Sequence, residues 1–187
     1  MKDFGAKTWM YPMPAFVIGT YGPKCANAMT AAWGIICNME PPCMEFYLDA
    51  GHKTVANIRE KLAFTASPAT VATLAQADYV GLVHGHSIDK VAACGLHDKP
   101  APHVNAPIFA ELPMAIECSV TSIAESGDCI RVYAKIVNIC ADESILDASG
   151  NIDPVKLRPI VYDPVNSVYY ELGSKVGNAF SDGKKFF

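Results

Sequence analysis

The chain of 187 residues carries 15 Lys and Arg against 19 Asp and Glu, and 51% of its residues are hydrophobic. A chain of this length suits a single domain, which buries roughly 70% of its unfolded surface. The net charge of −4 argues against a nucleic-acid-binding protein, since such proteins present a basic face. No apolar run reaches the roughly 18 residues of a membrane span. The N-terminus lacks the apolar segment of a secretory signal, so a cytoplasmic protein is expected.

The seven cysteines are scattered, odd in number and free of any CxxC pair. This usage is typical of reduced thiols in the cytoplasm rather than of a disulfide framework. Most of them are expected to pack as small buried hydrophobes. Cys37 is open to two interpretations, a packing residue or a redox residue, because it lies in a run of unusual composition.

Taken in chain order, the sequence reads mainly as strands. The first three are expected at 15–21, 26–37 and 43–49, separated by Gly22-Pro23 and by Pro41-Pro42. Residues 114–121 and 130–137 then alternate between apolar and polar side chains on either side of a turn at 126–128. This alternation predicts an antiparallel hairpin with one buried face.

Two short helices are predicted between the strands, at 55–62 and 70–77. Thr54 is a candidate N-cap of the first helix, whose apolar stripe comprises Val55, Ile58 and Leu62. Because the first N–H groups of a helix have no intrahelical partner, a phosphate could bind there, next to the positive charge of Lys53. The alternative is an ordinary capped helix with a solvated lysine.

The run from Asn27 to Trp33 combines hydrogen-bonding side chains with small ones. A flat ligand could lie close to such a backbone, although a buried strand with incidental polar residues gives the same pattern. The stretch NAMTAAWGIICNMEPP, which begins at Asn27, resembles the flavin reductase-like family of flavoproteins, of the flavoredoxin type. Shorter matches follow over roughly residues 13–183, among them Met13-Pro14, His52-Lys53-Thr54, Asn57-Ile58, Ala77-Asp78-Tyr79, Asp89-Lys90, Ala106-Pro107-Ile108, Glu117-Cys118 and Val176-Gly177-Asn178-Ala179-Phe180.

The resemblance implies a mainly β protein, an antiparallel split β-barrel with a few peripheral helices, in which residues 1–187 form one FMN-binding domain. The implied contacts to the flavin ring and its neighbourhood are Asn27, Met29, Thr30, Ala31, Trp33, Cys37 and Asn38. The implied contacts around the phosphate are His52, Lys53, Thr54, Asn57, His84, Gly85, Ser87, Asp89 and Lys90. No side chain is assigned as a catalytic acid or base, because electron transfer between stacked rings needs none.

The loop 84–90 departs from the family pattern Ser-Gly-Arg-x-x-Asp-Lys-Phe. His84 replaces the serine and His86 the arginine, so a permanent cation is lost. Asp89 and Lys90 are kept, and they could equally form a surface ion pair with each other. His84 and His86 also suggest a metal site, but no third ligand stands at a convincing position, so no metal is expected.

Motifs of other enzyme classes are absent from the sequence, including the Gly-x-Ser-x-Gly of hydrolases, the P-loop and the Rossmann glycine pattern. A nicotinamide nucleotide would therefore dock over the flavin. The resemblance implies an FMN-dependent oxidoreductase that passes electrons from NAD(P)H or another donor to an acceptor. The alternative is an FMN-binding electron carrier without NAD(P)H turnover of its own.

A homodimer with the flavin near the subunit interface is expected, for two reasons. An apolar-rich chain with few charges does not readily solvate its whole surface, and the split-barrel flavoproteins that this chain resembles pair their barrels. The aromatic, glycine-punctuated segment at about 165–187 is expected to be an arm that docks on the neighbouring subunit. Packing of this segment on its own barrel is the alternative.

Overall fold

The computed structural model describes residues 1–187 and is mainly antiparallel β-sheet with a few short helices, which confirms the predicted fold class. The strands are β1 (Met13–Pro14), β2 (Phe16–Tyr21), β3 (Ala26–Ala31), β4 (Gly34–Met39), β5 (Pro42–Asp49), β6 (Ala63–Pro68), β7 (Asp98–Pro100), β8 (Pro107–Phe109), β9 (Met114–Ser126), β10 (Cys129–Ala141), β11 (Ile160–Asp163) and β12 (Val168–Glu171). The α-helices are α1 (Lys53–Lys61), α2 (Leu74–Leu82), α3 (Lys90–Ala93) and α4 (Pro154–Leu157). Each of these helices is too short or too polar to cross a membrane.

Seven strands form one antiparallel sheet in the order β3-β2-β6-β9-β10-β5-β4. Its two edge strands, β3 and β4, follow each other in the chain and are joined only by Ala32 and Trp33. The sheet must therefore curl until its edges approach at this connection, although β3 and β4 do not pair. The result is the predicted split β-barrel, whose interior is filled by apolar side chains such as Ile18, Phe46 and Phe64.

The prediction of one strand over residues 26–37 is wrong, because this run crosses from one sheet edge to the other. β3 pairs with β2 as far as Ala31 opposite Phe16, whereas β4 pairs with β5 from Gly34 opposite Phe46. At Gly34 the backbone passes so close to Phe46 that a Cβ there would lie 2.1 Å from the ring carbon Cε1. Only glycine allows the chain to enter β4 along this path.

The predicted hairpin is confirmed in β9 and β10, which are joined by Gly127 and Asp128. Ile130, Val132 and Ala134 point into the barrel and are completely buried. The expectation of a single buried face is wrong for the first half of β9, because Glu117 on the other face is also completely buried. Residues 101–106 cover it.

The carboxylate of Glu117 is satisfied by three donors. It accepts the backbone N–H of His103 at 2.7 Å, the ring Nδ1 of His103 at 3.1 Å and the side-chain amide of Asn138 at 2.7 Å. Burial raises the pKa of Glu117, but the hydrogen bonds from Asn138 and His103 outweigh it and hold the pKa below its ordinary value. A buried, ionised carboxylate thus ties the loop to the barrel.

Helix α1 begins at Lys53, with His52 as its N-cap residue, so the prediction of Thr54 as the N-cap is wrong. Thr54 lies inside the first turn and is buried, with its hydroxyl oxygen accepting a hydrogen bond at 2.8 Å from the amide of Asn27. The second predicted helix starts close to its expected position, with a 3-10 turn at Val71–Thr73 capped by Thr70. It then continues as α2, past the expected end.

A second sheet of three strands, in the order β1-β11-β12, lies beside the barrel and brings the two ends of the chain together. Met13 pairs with Tyr162, and Tyr162 pairs with Tyr169. Beyond β12 the chain forms only a short 3-10 turn at Asp182–Phe186, and residues 171–187 are all exposed. The first part of the predicted arm at about 165–187 therefore packs on its own chain, because β12 pairs with β11 and Tyr169 hydrogen-bonds to Asp78. Docking of the exposed remainder on a neighbour stays a prediction.

Candidate functional site

A small basic pocket of about 50 Å³ lies where β3, the start of α1 and the loop after α2 meet. Its walls are formed by Asn27, Met29, Thr30, His52, Lys53, Thr54, Val80, Gly81, Val83, His84, Gly85 and Lys90. Four separate segments of the sequence contribute to it. The structure thus brings together nine of the residues that the sequence predicted for the site, and its size is that of a single phosphate group rather than of a whole nucleotide.

Hydrogen-bond donors are available on the α1 side of this pocket. Helix α1 has no side-chain cap, so the first N–H groups of the helix are free to bind an anion. The hydroxyl of Thr54 accepts from Asn27 and therefore keeps its own hydrogen for a ligand. The ammonium group of Lys53 belongs to the same turn.

Gly85 closes the opposite side of the pocket. A Cβ at this position would lie 2.4 Å from the side-chain oxygen of Asn27 and 3.3 to 3.4 Å from carbons of Lys53 and Lys90. The absence of a side chain therefore lets the loop approach both lysines closely. Gly85 is a packing requirement of the basic pocket.

Lys90 supplies a second cation from the first residue of α3, and only 5% of its surface is exposed. Its ammonium group donates to the carbonyl oxygen of Val80 at 2.8 Å, which leaves two of its hydrogens for other acceptors. Burial, with the nearby charge of Lys53, lowers the pKa of Lys90 to about 8. Two lysines without a carboxylate partner make this pocket a strong site for an anion.

His52 separates the basic pocket from a larger cavity and lines both. Its ring nitrogen Nδ1 is buried without any hydrogen-bond partner. Burial lowers the pKa of His52, and the nearby His84 and Lys90 lower it further against the opposite effect of Asp49. A neutral imidazole with an orphaned nitrogen is suited to a ligand that extends from one cavity into the other.

The larger cavity has a volume of about 400 Å³ and mostly apolar walls. One wall consists of Met29, Thr30, Ala31, Ala32, Trp33, Tyr47, Leu48, Asp49, His52 and Cys129. The facing wall consists of Thr8, Met13, Tyr162 and Pro164. The small side chains at Ala31 and Ala32 keep the strand end open, as a planar ring system requires.

A third space of about 500 Å³ adjoins this cavity through Thr30, Ala32 and Tyr162. Its far side is formed by Tyr169, whose hydroxyl donates to Asp78 at 3.0 Å. Burial, with the bond to Asp78, raises the pKa of Tyr169 to about 12, so the phenol stays protonated. The basic pocket also shares Thr30 and Gly81 with this third space, so the three spaces adjoin one another.

Five residues predicted for the site do not line the basic pocket or the larger cavity. Asn57 is buried and donates to Thr20 at 3.0 Å, and Ser87 donates to the carbonyl of His84. Asp89 caps α3 by accepting the N–H of Ala92, so Asp89 and Lys90 do not pair with each other. Cys37 and Asn38 lie exposed on β4, away from either cavity within one chain.

The two histidines of the loop 84–90 point to different partners. His84 lies beside the ring of His52, with the centroids 6.3 Å apart, and His86 lies 3.1 Å from the carbonyl oxygen of Gly51. They make no cluster of three potential metal ligands. Of this loop, His84, Gly85 and Lys90 line the basic pocket.

Sequence reasoning missed the facing wall of the larger cavity. Tyr162 and Pro164 stand far along the chain and carry no local motif, and Thr8 lies in a segment without secondary structure. Tyr47, Leu48, Asp49 and Cys129 were also missed, because only the sheet register brings the last part of β5 and the start of β10 to the cavity. Among these residues, only Met13 could have been found from the sequence, because Met13-Pro14 belongs to the family pattern.

The flavin reductase like domain family matches residues 8–166 of this chain. The flavoredoxin of Desulfovibrio vulgaris (Miyazaki F) is 38% identical, with a TM-score of 0.94 over 98% of this chain and 100% of that chain. The flavoredoxin of Methanosarcina acetivorans is 23% identical, with a TM-score of 0.91 over the full length of both chains.

An FMN-binding protein of Thermus thermophilus, solved with bound 1-cyclohex-2-enone, is 18% identical with a TM-score of 0.79, over 95% of this chain and 99% of that chain. The likeness to the last two structures concerns the fold alone. Among curated proteins, none has a significant match to this sequence. The family match over most of the chain and the 38% identity to a flavoredoxin agree, and the chain belongs to the flavin reductase-like domain family.

Proposed function

We propose that this protein binds FMN and acts as a flavoredoxin-type electron carrier. The observation that carries the proposal is the arrangement of the two cavities. A phosphate-sized basic pocket adjoins a larger, mostly apolar cavity that suits a planar ring, and Met29, Thr30 and His52 line both. The 38% identity to a flavoredoxin over nearly the whole chain favours the carrier over the NAD(P)H-dependent reductase that the sequence placed first.

Each wall of the two cavities has a distinct role in this proposal. Lys53, Lys90 and the first turn of α1 would hold the phosphate, with a hydrogen bond from the hydroxyl of Thr54. Trp33 and Tyr162 would enclose the ring and keep water away from it. Bound FMN would supply one- and two-electron redox chemistry, which no side chain of the cavities provides.

The lining residues favour FMN over FAD. The larger cavity contains no Lys or Arg, so a second phosphate and an adenosine would find no cationic partner there. The only lysines at the site belong to the small pocket. We therefore expect one FMN per chain.

The test begins with the absorption spectrum of the purified protein and chromatography of the cofactor released on denaturation. FMN at one per chain supports the proposal. If the protein is purified without flavin, titration of the apoprotein with FMN and FAD decides between them. A protein that binds neither, or that releases FAD, contradicts the proposal.

Steady-state oxidation of NAD(P)H distinguishes the two candidate functions, because a reductase catalyses it and a carrier does not. The third space of about 500 Å³ beside the larger cavity is the feature that favours a reductase, because it leaves room for a nicotinamide nucleotide. A carrier is expected to be reduced by dithionite and reoxidised by an acceptor, with no steady-state oxidation of NADH or NADPH. Sustained oxidation of either nucleotide with added FMN would establish the reductase instead.

A further inference from the structure

The N-terminal segment 1–12 forms few hydrogen bonds with the rest of the protein. All twelve residues are exposed, and none belongs to a helix or strand. The segment joins the fold at β1, where Met13 pairs with Tyr162. Before that point, one hydrogen bond links it to the body of the chain, from the hydroxyl of Tyr11 to the carboxylate of Asp163.

Asp163 is a buried hydrogen-bond acceptor rather than a surface charge, since only 3% of its surface is exposed. Besides Tyr11, it accepts the backbone N–H of Val165 at 2.8 Å and the side-chain amide of Asn166 at 2.8 Å. Its own carbonyl oxygen accepts the N–H of Ser167 at 3.0 Å. One residue therefore fixes the turn 164–167 and, through Tyr11, the N-terminal segment.

Both of these segments contribute to the facing wall of the larger cavity. Thr8 comes from the N-terminal segment and Pro164 from the turn, and Tyr162 lines the same cavity from β11. Without the Tyr11 bond, the next attachment of the segment is β1, several residues after Thr8. A single hydrogen bond thus helps to hold Thr8 against the cavity.

We propose that Tyr11 is a positioning residue which, through Asp163, holds the N-terminal segment as a movable wall of the ligand cavity and so sets how fast the ligand leaves. The proposal rests on the proposed function in taking FMN as the ligand. Tyr11 itself does not line the cavity and touches no reacting atom. Its role is to keep Thr8 in place.

The test compares Tyr11→Phe with Tyr170→Phe. Tyr170 is the matched control, because it lies exposed on β12, close to Tyr11, and its hydroxyl forms no hydrogen bond. We expect Tyr11→Phe to raise the FMN dissociation rate several-fold, with about tenfold, the factor for losing one hydrogen bond to a charged group, as the upper limit. Tyr170→Phe should leave that rate unchanged. Equal rates in Tyr11→Phe and the wild type would overturn the proposal.

A deletion of residues 2–8 separates the segment from the turn. If Tyr11 acts through Thr8, the deletion raises the dissociation rate to the same extent, and Tyr11→Phe adds little to it. If Tyr11→Phe is effective while the deletion is not, the bond acts on the turn 164–167 alone and the movable wall is ruled out. Circular dichroism of both variants checks that the fold is retained.

Trypsin cleavage of the apoprotein after Lys7 is a readout that does not depend on flavin. Release of the segment should speed this cleavage several-fold in Tyr11→Phe and leave it unchanged in Tyr170→Phe. Unchanged cleavage in Tyr11→Phe would show that the bond does not hold the segment. A wild-type protein that binds no FMN while showing the expected cleavage difference would refute the proposed function and the role in ligand release, but not the attachment.

Discussion

Lys90 and Val80 are joined by a hydrogen bond of 2.8 Å from the ammonium group to the backbone carbonyl, inside a pocket that also contains Lys53. Neither lysine has a carboxylate partner there. A buried cation that lacks a counter-ion is disfavoured, and the lowered pKa of Lys90, about 8, expresses this. A phosphate in the pocket would supply the missing charge and raise that pKa again.

The affinity for FMN should therefore fall as the pH rises above about 8. Phosphate binding to the deprotonated form requires uptake of a proton by Lys90, so the dissociation constant should increase by up to tenfold per pH unit between about 8 and 9.5. Fluorescence titration of the apoprotein with FMN over this pH range measures the dissociation constant. Lys90→Met should bind more weakly at pH 7 and lose the pH dependence. A dissociation constant that stays flat to pH 9.5 in the wild type would contradict the assignment.

The contribution of Lys90 to the stability of the apoprotein should instead increase as the pH rises. The folded pKa of Lys90 lies below its value in the unfolded chain, so the unfolded state binds more protons between about pH 8 and 10. The contribution of Lys90 to the free energy of unfolding thus increases with pH in that range. Urea unfolding of the wild type against Lys90→Met isolates this contribution.

Lys53→Ala should weaken FMN binding by about 1–3 kcal/mol, the range for a lost charge-assisted hydrogen bond. The matched control is Lys61→Ala, at the other end of the same helix and outside the pocket. Isothermal titration of both apoproteins with FMN gives the comparison. Equal affinities in Lys53→Ala and Lys61→Ala would place the phosphate elsewhere.

Nine of the residues predicted for the site line the basic pocket, and most of them come from short segments of the sequence, while their contact with FMN stays a prediction. His52, Lys53 and Thr54 stand together at a helix start, and His84, Gly85 and Lys90 stand in one loop. The error at Thr54 arose because His52 already adopts the extended N-cap conformation, while the Thr54 hydroxyl is used by Asn27, a residue 27 positions away. Propensity alone does not reveal a partner so distant in the chain.

The split of 26–37 into β3 and β4 was not predictable from periodicity, since both halves have strand composition. What divides them is the ring of Phe46 on β5 against Gly34, a contact fixed by tertiary packing. The burial of Glu117 was missed for a similar reason. The loop 101–106 that covers it has no regular structure of its own, and its position depends on the carboxylate itself.

Gly34→Ala tests this account of the split strand. The added Cβ would lie 2.1 Å from the Phe46 ring, and Phe46 is fixed by edge contacts to Phe16 and Phe64. Overpacking of this kind costs about 1–3 kcal/mol of folding free energy. Gly173→Ala is the control, because no atom lies within 4 Å of its added Cβ. Chemical denaturation that ranks the two variants as equally stable would contradict the steric argument.

A homodimer is expected because apolar side chains of β4, and Trp33 just before it, are exposed. Trp33, Ile35 and Met39 are 57%, 62% and 88% exposed, although they belong to one edge of the barrel next to the ring cavity. Apolar surface gathered in this way is typical of an interaction site. A second copy of the chain is the partner that we propose for it, with the exposed C-terminal arm adding to the contact.

Sedimentation at micromolar concentration measures the oligomeric state, and we expect a dimer of the 20.1 kDa chain. Ile35→Lys should shift it toward the monomer, because an unpaired charge in an apolar interface is costly. Val155→Lys is the control, since Val155 is 68% exposed on α4, outside this surface. If the interface also closes the ring cavity beside Trp33, Ile35→Lys should weaken FMN binding in step with dissociation of the dimer. A wild-type protein that sediments as a 20.1 kDa monomer with FMN still bound would contradict the dimer and show that one barrel completes the site alone.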